Sequence, residues 1–230
     1  MRRKDDVEER PRACCSRRAL VIAIGISIVM LAGPQALAQE PPPRIGPFVV
    51  DLHATVPRFP EDLQLAQSRA MKLAELPGSG LGVQIAAHVY PIRWRAVTFG
   101  IGGEFATGRA RQTPTAAQTT VRPATERFTT LAPQLSFNFG TGNGWSYISG
   151  GLGQSTWAVV PKGQEGFPAD SEKLKTINYG GGARWFMKTH LAFSFDVRFY
   201  AINPGTPYVA GVLGSPRTTL LVIGAGISVK

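Results

Sequence analysis

From residue 48 to residue 229, apolar and polar side chains repeatedly alternate with a period of two, the pattern of a strand with one apolar and one polar face. In residues 48–56, Phe48, Val50, Leu52, Ala54 and Val56 share one face, and Val49, Asp51, His53 and Thr55 the other. Residues 81–90 set Leu81, Val83, Ile85 and Val89 against Gln84, His88 and Tyr90. Residues 96–106 set Val97, Phe99, Ile101 and Phe105 against Thr98, Gly100, Gly102 and Glu104. Residues 128–139 set Leu131, Leu135, Phe137 and Phe139 against Thr130, Gln134, Ser136 and Asn138. Three later runs repeat the pattern. Ile177, Tyr179 and Trp185 oppose Asn178, Gly182 and Arg184; Phe193, Phe195, Val197 and Phe199 oppose Ser194, Asp196, Arg198 and Tyr200; Leu221, Ile223, Ile227 and Val229 oppose Val222, Gly224, Gly226 and Ser228. Residues 145–155 leave their parity open, because Ile148 and Leu152 argue for one face and Trp145 and Tyr147 for the other. Pro133 removes a ladder donor from the fourth run, so a bulge is expected there. No long helical stripe interrupts these eight runs.

The connections alternate in length. Residues 91–95, 140–144 and 188–190 are tight, whereas 58–80, 108–127, 156–173 and 202–217 are long and rich in Pro, Gly, Thr, Ser and charge. A short helix is expected within residues 61–76 of the first long connection. Short turns at one end and long loops at the other are the layout of an outer-membrane barrel. Runs of about 9–11 residues suffice for a tilted strand to cross the hydrocarbon. The fold class expected is all-β, an eight-stranded antiparallel up-and-down transmembrane β-barrel.

Such a barrel turns its apolar face to lipid and its polar face to the lumen. Asp51, His53, His88, Glu104, Arg184, Asp196 and Arg198 all fall on the polar face and are expected to form an interior network. A tight turn at 188–190 sets Arg184 opposite Ser194, Asp196 opposite Gly182, and Arg198 opposite Gly180. The glycines leave room for the long side chains. Aromatics gather near the tight turns, and Tyr90, Trp94, Trp145 and Trp185 are expected to form an interfacial girdle. A soluble lipocalin-like barrel, with the same faces reversed, is the alternative architecture.

The chain starts with a basic stretch (Arg10, Arg12, Arg17, Arg18), an apolar run over residues 19–33, and Ala36-Leu37-Ala38. This reads as a signal peptide over residues 1–38, cut after Ala38, because the run is short for a spanning helix. Ser16-Arg17-Arg18 resembles a twin-arginine signal, but the strongly apolar run favours the general secretory route. Residues 39–46 form a Pro-rich leader, and residues 47–230 the barrel. Cys14 and Cys15 lie in the signal, so the mature chain has no disulfide, lipid-anchor or cysteine–metal chemistry. The net charge is +10; the signal holds seven basic and four acidic residues, so the mature part keeps +7. For an exported protein with scattered basic residues, that surplus points to anionic lipid and lipopolysaccharide rather than nucleic acid.

On this layout, with Gln134-Leu135-Ser136-Phe137-Asn138-Phe139 and Tyr179-Gly180-Gly181-Gly182-Ala183-Arg184 as strand segments, the chain resembles the small OmpA/OmpX-type outer-membrane β-barrel family. The resemblance implies a monomer inserted by the barrel-assembly machinery, and it brings no catalytic motif. Members commonly end in an aromatic residue, whereas this chain ends Ser228-Val229-Lys230.

Interior charges in so narrow a barrel are expected to plug it rather than line an open pore. His53 and His88 share the interior face, but they lack helical metal-site spacing and are expected to be hydrogen-bonded lumen residues. Lipid A deacylases pair His with Ser two positions on; His53-Ala54-Thr55 and His190-Leu191-Ala192 do not match that pattern. The glycine clusters are not phosphate loops, since no Lys-Ser/Thr or helix follows them. The expected function is non-enzymatic and without cofactor or metal, a structural or surface-interaction role exercised through long external loops. A narrow transport pore, a lipid-modifying enzyme and a soluble binding barrel are the alternatives.

Overall fold

The computed structural model describes residues 44–115, 120–163, 173–206 and 214–230. The expected signal peptide and most of the leader lie outside the described residues. Eight strands follow one another: β1 (Phe48–Arg58), β2 (Gly80–Trp94), β3 (Val97–Gln112), β4 (Ala124–Thr141), β5 (Gly144–Pro161), β6 (Lys173–Phe186), β7 (Leu191–Ile202) and β8 (Thr218–Val229). Each pairs antiparallel with its chain neighbour, and β1 pairs with β8 to close an up-and-down barrel.

The alternation gives the barrel two faces. Along β1, exposed and buried residues alternate without a break. Leu131, Leu152 and Phe193 are 65%, 70% and 46% exposed, whereas Asp196 and Arg198 are each 1% exposed. Large apolar side chains therefore face outward around the wall, and the charged ones face the lumen. A protein that buried its apolar face in a common core would show the reverse.

The register between β6 and β7 sets Arg184 opposite Ser194, Gly182 opposite Asp196 and Gly180 opposite Arg198, as the turn length requires. A Cβ on Gly182 would lie 2.8 Å from the Tyr147 hydroxyl, so the missing side chain is what admits the polar cluster beside it.

Two expectations are corrected and one open question is resolved. The strand-length reading of about 9–11 residues is too short for β2 to β6, which run 15, 16, 18, 18 and 14 residues. On β3, β4 and β6 the outward positions above the apolar belt turn to Thr, Arg and Lys, so the hydrophobic signal stops although the ladder continues. The bulge expected at Pro133 does not occur: β3 and β4 keep one register through it, and β4 and β5 resume the same register on either side of residues 132–133. The bulge lies instead between Val89 and Ile92 of β2, at Pro91. There the register shift takes up a proline that would break a regular ladder. The parity of β5 resolves with Trp145, Tyr147 and Ser149 inward and Ile148 and Leu152 outward.

The first long connection carries helix α1 (Leu63–Ser68) and a 3-10 turn (Leu73–Glu75). The Asp62 side chain caps α1 by accepting from the Leu65 amide at 2.9 Å. Six residues cannot hold a helix alone; burial of Leu65 and Ala66 against the barrel mouth holds this one.

Candidate functional site

The lumen is stratified into three layers. At mid-height is the polar network. Arg184 grips Asp51 with two parallel bonds, Nε to Oδ1 at 2.8 Å and Nη2 to Oδ2 at 2.6 Å, and Ser228 also donates to Asp51. The Arg184 guanidinium lies 3.9 Å from the centroid of the Tyr147 ring. Arg198 forms the second cluster, with Nε 2.8 Å from Glu104 Oε2 and Nη2 2.9 Å from Asp196 Oδ2. Arg198 Nη2 also donates to Ser149 at 2.9 Å.

Both carboxylates have further donors. Tyr200 donates to Glu104 Oε1 at 2.6 Å, and Gln84 and Gln134 donate to Oε2 at 2.8 and 3.0 Å. Tyr147 donates to Asp196 at 2.7 Å. Every one of these groups is buried. Charge out of water is tolerable only when paired and hydrogen-bonded in this way.

The two histidines do not meet as a pair. His53 Nε2 shares a hydrogen bond with Ser194 Oγ at 2.7 Å. His88 stands opposite Gly102, with its ring over the space a Cβ would fill. Among the described residues, no three His, Cys, Asp or Glu side chains are placed to hold a metal ion. The His53–Ser194 contact has the reach of a base and its nucleophile. Yet the two residues are 1% and 0% exposed inside the closed wall.

The expected aromatic girdle is half wrong. Trp94 and Trp185 face outward, 63% and 53% exposed, but Trp145 is 3% exposed and Tyr90 points into the lumen. Tyr90 follows the parity of His88, and Trp145 that of Tyr147, so alternation overrules the interfacial preference of the ring. Trp145, Tyr90 and Phe186 pack with Ile45 and Val49 as an aromatic plug at the tight-turn end. Trp145 stacks on Phe186 at 5.0 Å and meets Tyr90 edge-on at 6.2 Å. The Lys230 ammonium lies 3.9 Å from the Phe186 ring centroid, where the negative ring face attracts a cation.

The third layer, at the long-loop end, is apolar and was not expected. Inward Phe128, Trp157, Leu174, Ile202, Leu220 and Val222 pack with Phe59, Leu65, Ala66, Met71 and Leu76 of the first loop. The loop thus forms a lid. One carboxyl sits in this chamber: Glu126 is fully buried and accepts from Trp157 Nε1 at 2.7 Å. The lid is latched to the β3–β4 connection by Glu75, which accepts from the Arg122 amide at 3.0 Å and its guanidinium at 3.2 Å. Burial raises the Glu75 carboxyl, but bonds from the Arg122 side chain and from the Arg122 and Lys72 amides outweigh it and hold its pKa at about 2.

The seven charged and histidine positions were visible from parity. Gln84, Gln134, Ser194 and Tyr200 lay on the same readable face; Tyr147 was hidden by the open parity of β5. The lid was not readable, because its apolar residues carry no period that separates them from an exposed loop.

No family model matches the chain, and no curated protein matches it. Solved structures do. Neisserial surface protein A is similar at 15% identity and a TM-score of 0.53, over 80% of this chain and 97% of that one. Ail, the attachment invasion locus protein of Yersinia pestis, is similar at 12% identity and a TM-score of 0.50, over 80% and 98%. At these identities the likeness is one of fold.

Proposed function

We propose that this chain, which has the fold of the small OmpA/OmpX-type outer-membrane barrels, stands in the bacterial outer membrane as a closed, non-enzymatic barrel. Its role is structural or interactive, and its working surface is the long-loop end and the outer wall. One observation carries this reading: among the described residues the aromatic plug, the paired charges and the lidded apolar chamber succeed one another along the lumen. A barrel of this size has no width left for a water path once its inward side chains are in place. The apolar exterior needs a solvent as apolar as itself, and acyl chains supply it.

In planar bilayers the purified protein is expected to give no unitary conductance steps. Reproducible steps that survive repurification would establish the pore reading in its place. Fractionation with outer membranes, and a gel shift that appears only on boiling, are expected of the folded barrel. The enzyme reading meets its own test at His53 and Ser194, since lipid turnover by the wild type that disappears in Ser194→Ala would give that pair a catalytic role.

A further inference from the structure

The outer wall is not uniform. Across β4, β5 and β6 a groove of about 740 Å³ opens on the long-loop side, lined by exposed Leu131, Leu152 and Ile177 below and by Lys173 and Lys175 above. Toward the tight turns, a second groove of about 500 Å³ lies on the next outward positions of these strands and reaches β7. Phe137, Tyr179 and Phe199 rim it, and Gly150 and Gly181 contribute no side chain to fill it. Tyr179 and Phe199 stack at 5.4 Å, which fixes one bank.

The pairing register orders what lies above. Thr107, Thr129, Thr156 and Lys173 stand on one level across β3 to β6. One step higher, Arg109 and Arg127 are direct cross-strand partners. Like charges placed opposite each other are unfavourable unless an anion lies between or beside them. Among the described residues, no carboxylate forms an ion pair with Arg109, Arg127, Lys173 or Lys175. A band of cations and hydroxyls thus caps an apolar furrow. From Ile177 of the first groove to Gly181 of the second is about 13 Å along the strand, close to the ~15 Å of one leaflet's hydrocarbon.

We propose that this wall binds one anionic lipid of the outer leaflet, its phosphorylated headgroup on Lys173 and Lys175 and its acyl chains along the furrow of β4 to β6. The proposal rests on the outer-membrane reading above and adds a partner and a site to it. The chemistry is complementary at both ends: phosphate needs cations and hydroxyl donors, and acyl chains need a long apolar channel whose relief is already set. A flat apolar wall would hold lipids only as a solvent, without preference for a headgroup.

The test uses the full chain folded in detergent, titrated with phosphatidic acid and with diacylglycerol of the same chains, bound lipid being counted by native mass spectrometry. The wild type is expected to retain one phosphatidic acid in preference to diacylglycerol, and millimolar inorganic phosphate is expected not to displace it. The double variant Lys173→Ala/Lys175→Ala is expected to bind about thirtyfold more weakly, the usual worth of two lysines at a lipid surface. Leu152→Trp, which fills the furrow from an exposed position, is expected to weaken binding with the boiling-dependent gel shift intact. Arg58→Ala, basic but on β1, is the control and is expected to bind as the wild type does. Equal retention of the two lipids, full retention by the double variant, or displacement by inorganic phosphate would each overturn the site. So would a furrow that Leu152→Trp shows to be a contact between copies, by abolishing a dimer with lipid retention unchanged. A chain with no gel shift in any form would instead take down the outer-membrane reading itself.

Discussion

The middle of the lumen and its long-loop end are built by the same inward parity, yet they obey different physics. In the middle, Arg198 answers two carboxylates at once, and those carboxylates accept further bonds, Glu104 from Tyr200, Gln84 and Gln134 and Asp196 from Tyr147. At the long-loop end, Phe128, Trp157 and Leu220 fill space with little directional demand. Paired charges depend on geometry to within a few tenths of an ångström, whereas an apolar chamber depends on volume. The first layer therefore specifies register, because a one-residue slip of any strand would turn its charges to lipid. The apolar chamber tolerates replacement by anything apolar of similar size.

The largest expected effect comes from breaking the first layer on one side only. Arg198→Ala leaves Glu104 and Asp196 buried without their cation, and should cost about 3–5 kcal/mol in a denaturant titration of the folded barrel. A loss below ~1 kcal/mol would show that the lumen charges are not a network. Next, conservative exchanges should separate the layers. Arg198→Lys should remain costly, since a single ammonium cannot reproduce the forked contacts of a guanidinium. Phe128→Leu should cost only about 1 kcal/mol on the same scale. Equal costs would erase the distinction between geometry and volume.

A smaller effect is expected at the lid. Glu75→Gln weakens the latch to the half-exposed Arg122 and should raise amide exchange over residues 59–79 while leaving the barrel's gel shift unchanged. The smallest effect is that of pH. The folded value of Glu75, about 2, lies below its ordinary 4.5. Its stabilising contribution is therefore complete above 4.5 and fades as pH falls toward 2. Lid exchange should quicken over that acid window in the wild type and not in Glu75→Gln. Exchange that slowed with acid would reverse the sign of the latch.

Much of this was legible in the chain, because a closed two-faced sheet writes itself as strict alternation. Asp51, Glu104, Arg184, Asp196 and Arg198 could be placed in the lumen from parity alone, and the opposition of Arg198 to Gly180 from one turn length. Where two rules disagreed, parity won. Trp145 and Tyr90 lie inside because their neighbours two residues away do, although an aromatic near a turn suggests the interface. Pro133 shows the opposite failure: an unfavourable residue was read as a distortion, but the ladder merely skips its missing donor. The lid could not be read because its loop meets strands distant in the chain, and the outer furrow because it depends on the register between neighbouring strands. Lys173 and Lys175 look like ordinary strand-end lysines until the register sets them beside Thr156 and above Leu152.

The seam between the first and last strands has a further consequence. It joins Val50 to Val229 and Arg58 to Leu221, so it cannot zip until nearly the entire barrel chain is available. Until then the sheet has two raw edges, each a template for another molecule's strand. Sealing the seam removes both in one event. Folding here is therefore also the moment of escape from aggregation, and whatever delays that last pairing lengthens the hazard without altering the finished protein.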